Sequence, residues 1–248
     1  MYYYQKSAIY YTCSKILMKI IIFSSLFIIL FSIPGKLVSQ DAAKALDKVY
    51  GLDQTLYNGK KYNYFLPPGI KGDQYLISPD YFSGSLTLKG KCYQNIILNY
   101  DIFNQQLLLK YEDERGALNI IEVSKAWIES FRLDKMNFEF LNLDNNPHYY
   151  QVLGVGRVRI FYYWRKNMKL EATIIGTSGY VFTPAIRDTY VYMDGKLKPY
   201  NNKRSLIRLF DPVHRAEIKS YLRKNKVKVK KSSDQVITGM ITFIGNIK

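Results

Sequence analysis

Hydrophobic and polar positions alternate in short runs along most of this chain, and a period of two predicts β-strands. Ser85-Leu86-Thr87-Leu88 alternates before Gly90-Lys91 turns the chain. Asn95–Tyr100, Gln106–Tyr111 and Leu118–Val123 read as further strands, separated by the polar links Asp101–Gln105 and Glu112–Gly116. In Ala126–Leu133, Trp127, Glu129, Phe131 and Leu133 alternate against Ile128, Ser130 and Arg132. Phe138–Leu143 then places Phe138, Phe140 and Asn142 on one side. Strands about ten residues apart, joined by links too short for crossover helices, predict antiparallel pairing.

Asp144-Asn145-Asn146-Pro147 breaks the pattern, and Asn146–Tyr150 reads as a loop. Val152–Gly156 and Arg157–Trp164 resume as a strand pair, with Gly154 and Gly156 marking a bend. Ala172–Gly176, Tyr180–Thr183 and Tyr190–Met193 continue the sheet, and Asp194-Gly195 predicts a hairpin into Lys196–Tyr200. Upstream, Leu56-Tyr57-Asn58-Gly59-Lys60 reads as a strand end entering an Asn-Gly turn. Pro67-Pro68-Gly69 with Gly72-Asp73 is another turn region.

After residue 200 the period lengthens. Ser205 is a candidate cap for a turn carrying Leu206, Leu209 and Phe210. Asp211-Pro212 is an N-cap followed by proline at the first helical position, and Asn225 is a plausible end. Val213, Ile218, Tyr221 and Leu222 form the apolar stripe of that helix. Lys226–Lys231, interleaved with Val227 and Val229, is extended or continues it. Ile237, Met240, Ile241 and Ile244 follow helical spacing behind Ser233-Asp234; Gly239 leaves a strand as the alternative. The expected fold is α+β: an antiparallel β-meander sheet or sandwich over residues 41–200, with a basic helical C-terminal segment over 201–248 packed on it.

The N-terminus follows another logic. Lys19 precedes the apolar run Ile20–Ile33, then Pro34-Gly35 and Leu37-Val38-Ser39-Gln40. This order predicts a secretory signal peptide over residues 18–40. The run is shorter than the roughly 20 apolar residues of a membrane-spanning helix, so an uncleaved anchor is the less favoured reading. The tyrosine-rich residues 1–17 read as a mispredicted extension, with translation starting at Met18. The expected location is the periplasm, the outer-membrane periphery or the medium, and the exported form keeps one cysteine, Cys92, read as a buried apolar residue.

Charge then sharpens the picture. The formal net charge is +16, yet residues 41–156 carry 12 basic and 14 acidic side chains. The last 53 residues carry 14 basic and 3 acidic ones. Arg215, Lys219, Arg223, Lys224, Lys226, Lys228, Lys230 and Lys231 are the candidate surface for an anionic partner: an envelope protein, a lipid or an anionic polysaccharide. A solvated face that serves solubility alone is the competing reading. Nucleic acid fits the charge but not the compartment.

No metal, dinucleotide, phosphate-loop or nucleophile-elbow motif is present, so no cofactor, metal or catalytic residue is assigned. His148 beside Tyr149 and Tyr150 reads as a surface loop histidine, and His214 lies in the first turn of a helix. Glu112-Asp113-Glu114 reads as a solvated turn. Tyr162-Tyr163-Trp164-Arg165-Lys166 mixes aromatics with cations, a blend that suits sugar rings or fills a half-buried strand.

Leu56–Lys60, Gly84–Tyr93 followed by Leu98-Asn99-Tyr100-Asp101, and a Lys-rich helix ending at Asn225 before Asp234 are similar to a family of uncharacterised exported β-rich proteins common in Bacteroidota. Phe243 and Asn246 only approximate that family's usual ending. The resemblance implies an envelope or secreted setting and brings no catalytic residues. The expected function is a non-enzymatic envelope protein with a binding or structural role. The alternatives are an exported hydrolase with a site assembled from distant residues, or an anionic-polymer binder.

Overall fold

The strand connections dictate the shape. In the computed structural model, residues 52–247 are described apart from 65, 67, 68, 144, 145 and 173–177. The signal-peptide and extension readings, and the helical spacing after Asp41, lie outside the described residues. The first strands are Gly59–Lys61 (β1), Phe82–Leu88 (β2), Lys91–Asp101 (β3), Gln106–Glu112 (β4) and Leu118–Val123 (β5). Ile128–Leu133 (β6), Met136–Leu143 (β7), Asn146–Leu153 (β8) and Arg159–Arg165 (β9) follow. The last are Met168–Ala172 (β10), Ser178–Phe182 (β11), Ile186–Met193 (β12) and Lys196–Pro199 (β13).

Eleven of them form one sheet in the order β1-β5-β4-β3-β2-β6-β7-β8-β9-β12-β13, with β1 and β13 at its edges. Every paired neighbour is antiparallel. The architecture is therefore α+β with an antiparallel sheet, as the alternation predicted. It is two meanders joined along the β2–β6 seam rather than one run in chain order. β10 and β11 pair with each other as a separate two-stranded ribbon, to which Lys71 adds an isolated parallel bridge at Val181; among the described residues they do not extend the sheet, and all but Ala172 of the expected strand Ala172–Gly176 lies outside the described residues.

The β5-to-β6 link makes the sheet curl. Four inter-strand spacings, about 19 Å in a flat sheet, separate β5 from β6. Residues 124–127 bridge them, reaching at most about 18 Å from Val123 to Ile128 if fully extended. Lys125–Trp127 is instead a 3-10 turn, which is shorter still. The sheet therefore wraps over its own face, and Ile121, Val123, Ile128 and Phe131 share one core. Bulges supply the bend. Asn95, at φ +56°, is the extra residue opposite Gly84/Ser85, and Glu129 is the extra residue opposite Thr87/Leu88. The Glu129 bulge resets the parity of β6. Ile128 is buried with Phe131 and Leu133, so the expected face containing Trp127 and Glu129 is corrected.

The concave face holds Leu86, Leu98, Tyr100, Leu109, Phe131, Phe138 and Tyr149. Tyr100 meets Phe131, Phe138 and Tyr149 edge-on at 5.6 Å each, and Phe131 stacks on Phe138 at 4.6 Å. The β3–β4 turn reaches across this core to β9, where Gln105 Nε2 donates to the Trp164 carbonyl at 2.8 Å. The turn is held by Asp101, fully buried, which accepts from the Asn104 and Phe103 amides and from the Tyr62 hydroxyl at 2.9 Å. Burial pushes the Asp101 carboxyl above its ordinary range despite these donors.

Three helices, Lys203–Arg208 (α1), Pro212–Lys224 (α2) and Asp234–Asn246 (α3), cover the other end of the same face. Ile218, Leu222, Ile237, Met240, Ile241 and Ile244 pack against Leu153, Ile160, Tyr162 and Val191. The Asp211 cap, Pro212 start and Asn225 end stand as expected, and the last segment is a helix. The cap of α1 is Asn202, in a reciprocal box with Ser205, rather than Ser205 itself. Gly59 opens β1 instead of turning a hairpin, and Pro147 and His148 lie inside β8 instead of a loop. Among the described residues no helix is long and apolar enough to cross a membrane.

Gly84 lies on the seam, opposite Leu133, and a Cβ there would sit 2.1 Å from the Arg132 carbonyl oxygen. Gly84→Ala should destabilise the fold by about 1–3 kcal/mol, as overpacking does. Thermal unfolding measures this; an unchanged melting temperature would contradict the seam as drawn.

Candidate functional site

Seven of the eight candidate cations line one continuous piece of chain. Ile218 and Leu222 turn one face of α2 inward, which leaves Lys219, Arg223 and Lys224 exposed. The helix ends with Lys226 at φ +50°, the Val227 amide donating back to the Leu222 carbonyl at 3.0 Å and the Lys226 amide to Arg223 at 3.2 Å. That is a Schellman ending with lysine where glycine is usual. Val227 and Val229 are buried, so Lys226, Lys228 and Lys230 project outward between them. The Lys231 and Ser232 amides both donate to the Lys228 carbonyl at 2.8 Å, and Lys231 is exposed as well.

Arg187 of β12 anchors this segment. Its guanidinium donates to the Lys230 carbonyl at 2.6 Å and lies over the Tyr162 ring at 4.2 Å and the Trp164 ring at 5.5 Å. It stands 3.9 Å from Asp234, which accepts from Gln151 at 2.6 Å; Gln151 in turn accepts from the Trp164 indole at 2.8 Å. The strip is thus fixed on the sheet and on the first residue of α3. Burial pushes the Tyr162 phenol up to about 12. Arg187 escaped the sequence reading. The signal was its parity with Val191 and Met193, which puts a lone cation on the apolar face.

Arg215 does not belong to the strip. It is half-buried and its guanidinium donates to the Phe210 and Arg208 carbonyls at 2.9 and 3.1 Å, tying α1 to α2. Among the described residues, none of the other seven cations forms an ion pair with a carboxylate. Their mutual repulsion is therefore relieved only by solvent and counterions.

Asp113 of the acidic cluster accepts from the Ala117 and Arg115 amides and from Asn119, and the Ala117 amide is the main reason its carboxyl titrates below the usual range. That is a turn, as expected. Cys92 is exposed, a correction to its expected burial: it stands two residues past the Lys89-Gly90 turn, near the end of the hairpin. Tyr162 and Trp164 point inward, and Tyr163 and Arg165 lie on the opposite face. There Tyr163, His148, Tyr150 and Tyr190 cluster, His148 lying 4.5 Å from Tyr163. Among the described residues no group of three His, Cys, Asp or Glu side chains is placed to hold a metal ion.

No protein-family model, curated protein or solved structure matches this chain.

His148 carries a pH signature. Burial first, and then the nearby Lys125 ammonium, hold its pKa below the ordinary histidine range. The unfolded chain therefore binds a proton that the native one resists. Stability should fall as pH drops from about 6.5 to the depressed native value, and His148 should leave it unaffected at pH well above about 6.5. His148→Gln should flatten melting temperature against pH over this window; an identical acid-side loss in both proteins would refute the assignment.

Proposed function

We propose that this is an exported, non-enzymatic envelope protein that binds an anionic polymer through the strip Lys219, Arg223, Lys224, Lys226, Lys228, Lys230 and Lys231. The observation that carries this reading is the anchoring. A strip serving solubility alone needs no fixed backbone, whereas this one has a Schellman ending, two buried valines and the Arg187 bond to Lys230. Such fixation lowers the entropy lost when the cations engage a partner. Export rests on the apolar run Ile20–Ile33 and its flanks. The partner's chemistry is a repeating sulfate, phosphate or carboxylate, since cations in a row along a rigid backbone match a row of anions.

Fractionation of cells expressing the full chain should place it outside the cytosol, with a mature N-terminus near Asp41. Recovery in the cytosol with the leader intact would overturn export.

Binding is tested separately with the full chain on immobilised dextran sulfate. Retention should weaken at least tenfold between about 50 and about 200 mM salt. The Lys224→Glu, Lys226→Glu, Lys228→Glu triple variant should lose it while melting like the parent. Salt-insensitive retention, or retention by the triple variant, would refute the strip.

A further inference from the structure

We propose a second binding site, for an uncharged saccharide, in a groove of about 330 Å³ where β13 leaves β12. It is independent of the cationic strip. The volume is at the lower end for small-molecule sites. Asp188, Tyr190, Pro199, Asn201 and Ser205 line it. The β12–β13 ladder ends just past Tyr190, where the Tyr200 amide still donates to the Thr189 carbonyl at 3.0 Å, and among the described residues no strand pairs with Asp188 on that side. The groove follows from this mismatch in strand length.

Its polar groups are held in place and partly unspent. Arg165 Nε donates to Asp188 Oδ2 at 2.8 Å, and Asp188 Oδ1 accepts no hydrogen bond from a described residue. Asn201 Oδ1 accepts from Asn202 Nδ2 at 2.7 Å, the Asn201 and Asn202 amides donate to the Ser205 hydroxyl at 3.0 Å each, and that hydroxyl gives its single proton to the Asn202 carbonyl at 2.9 Å, which holds the loop and leaves Asn201 Nδ2 as a donor. Thr189 donates its hydroxyl to the Tyr200 carbonyl and is not available. The groove thus offers one oriented acceptor, one oriented donor and the half-exposed ring of Tyr190, itself braced edge-on against Tyr150 at 6.0 Å.

A pyranose matches these groups. Adjacent hydroxyls each donate and accept, so a carboxylate oxygen and an amide nitrogen satisfy a vicinal pair. The C–H face of the ring packs on a phenol, and Pro199 supplies an apolar wall. Asp188 is neutralised by Arg165, so the groove has no net charge from this pair to attract an acidic sugar, whereas the strip is built for anions.

The test is a titration of the full chain with cellobiose, maltose, lactose and diacetylchitobiose, followed through the backbone amides of Thr189 and Tyr190 by NMR, with galacturonate as the acidic comparison. At least one neutral sugar should give a saturable shift with a dissociation constant near 1 mM. Tyr190→Leu and Asn201→Ala should each weaken it about tenfold or more, with melting temperatures confirming that both fold. The Lys224→Glu, Lys226→Glu, Lys228→Glu variant should bind the same sugar unchanged. The proposal is overturned by the absence of any shift up to about 10 mM sugar, by shifts that both groove variants retain, or by binding of galacturonate alone that the strip variant abolishes.

Discussion

A link too short for a flat sheet governs this molecule. Because residues 124–127 must carry the chain from β5 to β6, the intervening strands have to coil, and the coil creates the core. Tyr100 can touch Phe131, Phe138 and Tyr149 because strands separated along the sheet have been brought face to face. The bond from Gln105 to the Trp164 carbonyl spans β3 to β9, five spacings or about 24 Å in a flat sheet. The wrap is thus held at the β2–β6 seam and at the β3–β4 turn.

The wrapped sheet buries one end of its concave face by itself and leaves the other to the helices. The boundary falls on β8 and β9, where the inward row changes from aromatic to polar at Gln151. The chain from Trp164 through Gln151 to Asp234 gives this buried amide both a donor and an acceptor. Arg187, on the same face, adds a charge stacked on aromatic rings and bonded to the backbone of the basic segment. The groups that satisfy a buried polar junction therefore also position the cationic strip.

Local features were legible in the sequence and long-range ones were not. The alternation in Leu118–Val123, the Asp211-Pro212 start and the Ile237–Ile244 spacing each correspond to an element, because each depends on neighbours within a few residues. Strand order depends on the curl, which no local period encodes, so the alternation predicts a meander without its seam. One inserted residue, Glu129, reversed the expected face of the start of β6. Pro147 and the asparagines before it look like a break, yet Pro147 pairs with Asn142 near the start of β8, where a missing amide is tolerated. The strip itself was visible as composition. That Arg215 leaves it for the Arg208 and Phe210 carbonyls, and that Arg187 of β12 holds it, required side chains to be placed in three dimensions. The groove beside Asp188 left no mark in the sequence, since it arises from where β13 stops.

The two margins of the large sheet have a consequence for how the molecule behaves in a crowd. β1 is Gly59-Lys60-Lys61, and β13 reads Lys196-Leu197-Lys198-Pro199. Ammonium groups on both borders, with a proline closing one of them, make strand-to-strand addition by another molecule unfavourable. An open sheet of eleven strands can therefore end without polymerising, and part of the basic excess outside the helical segment is a guard against self-association.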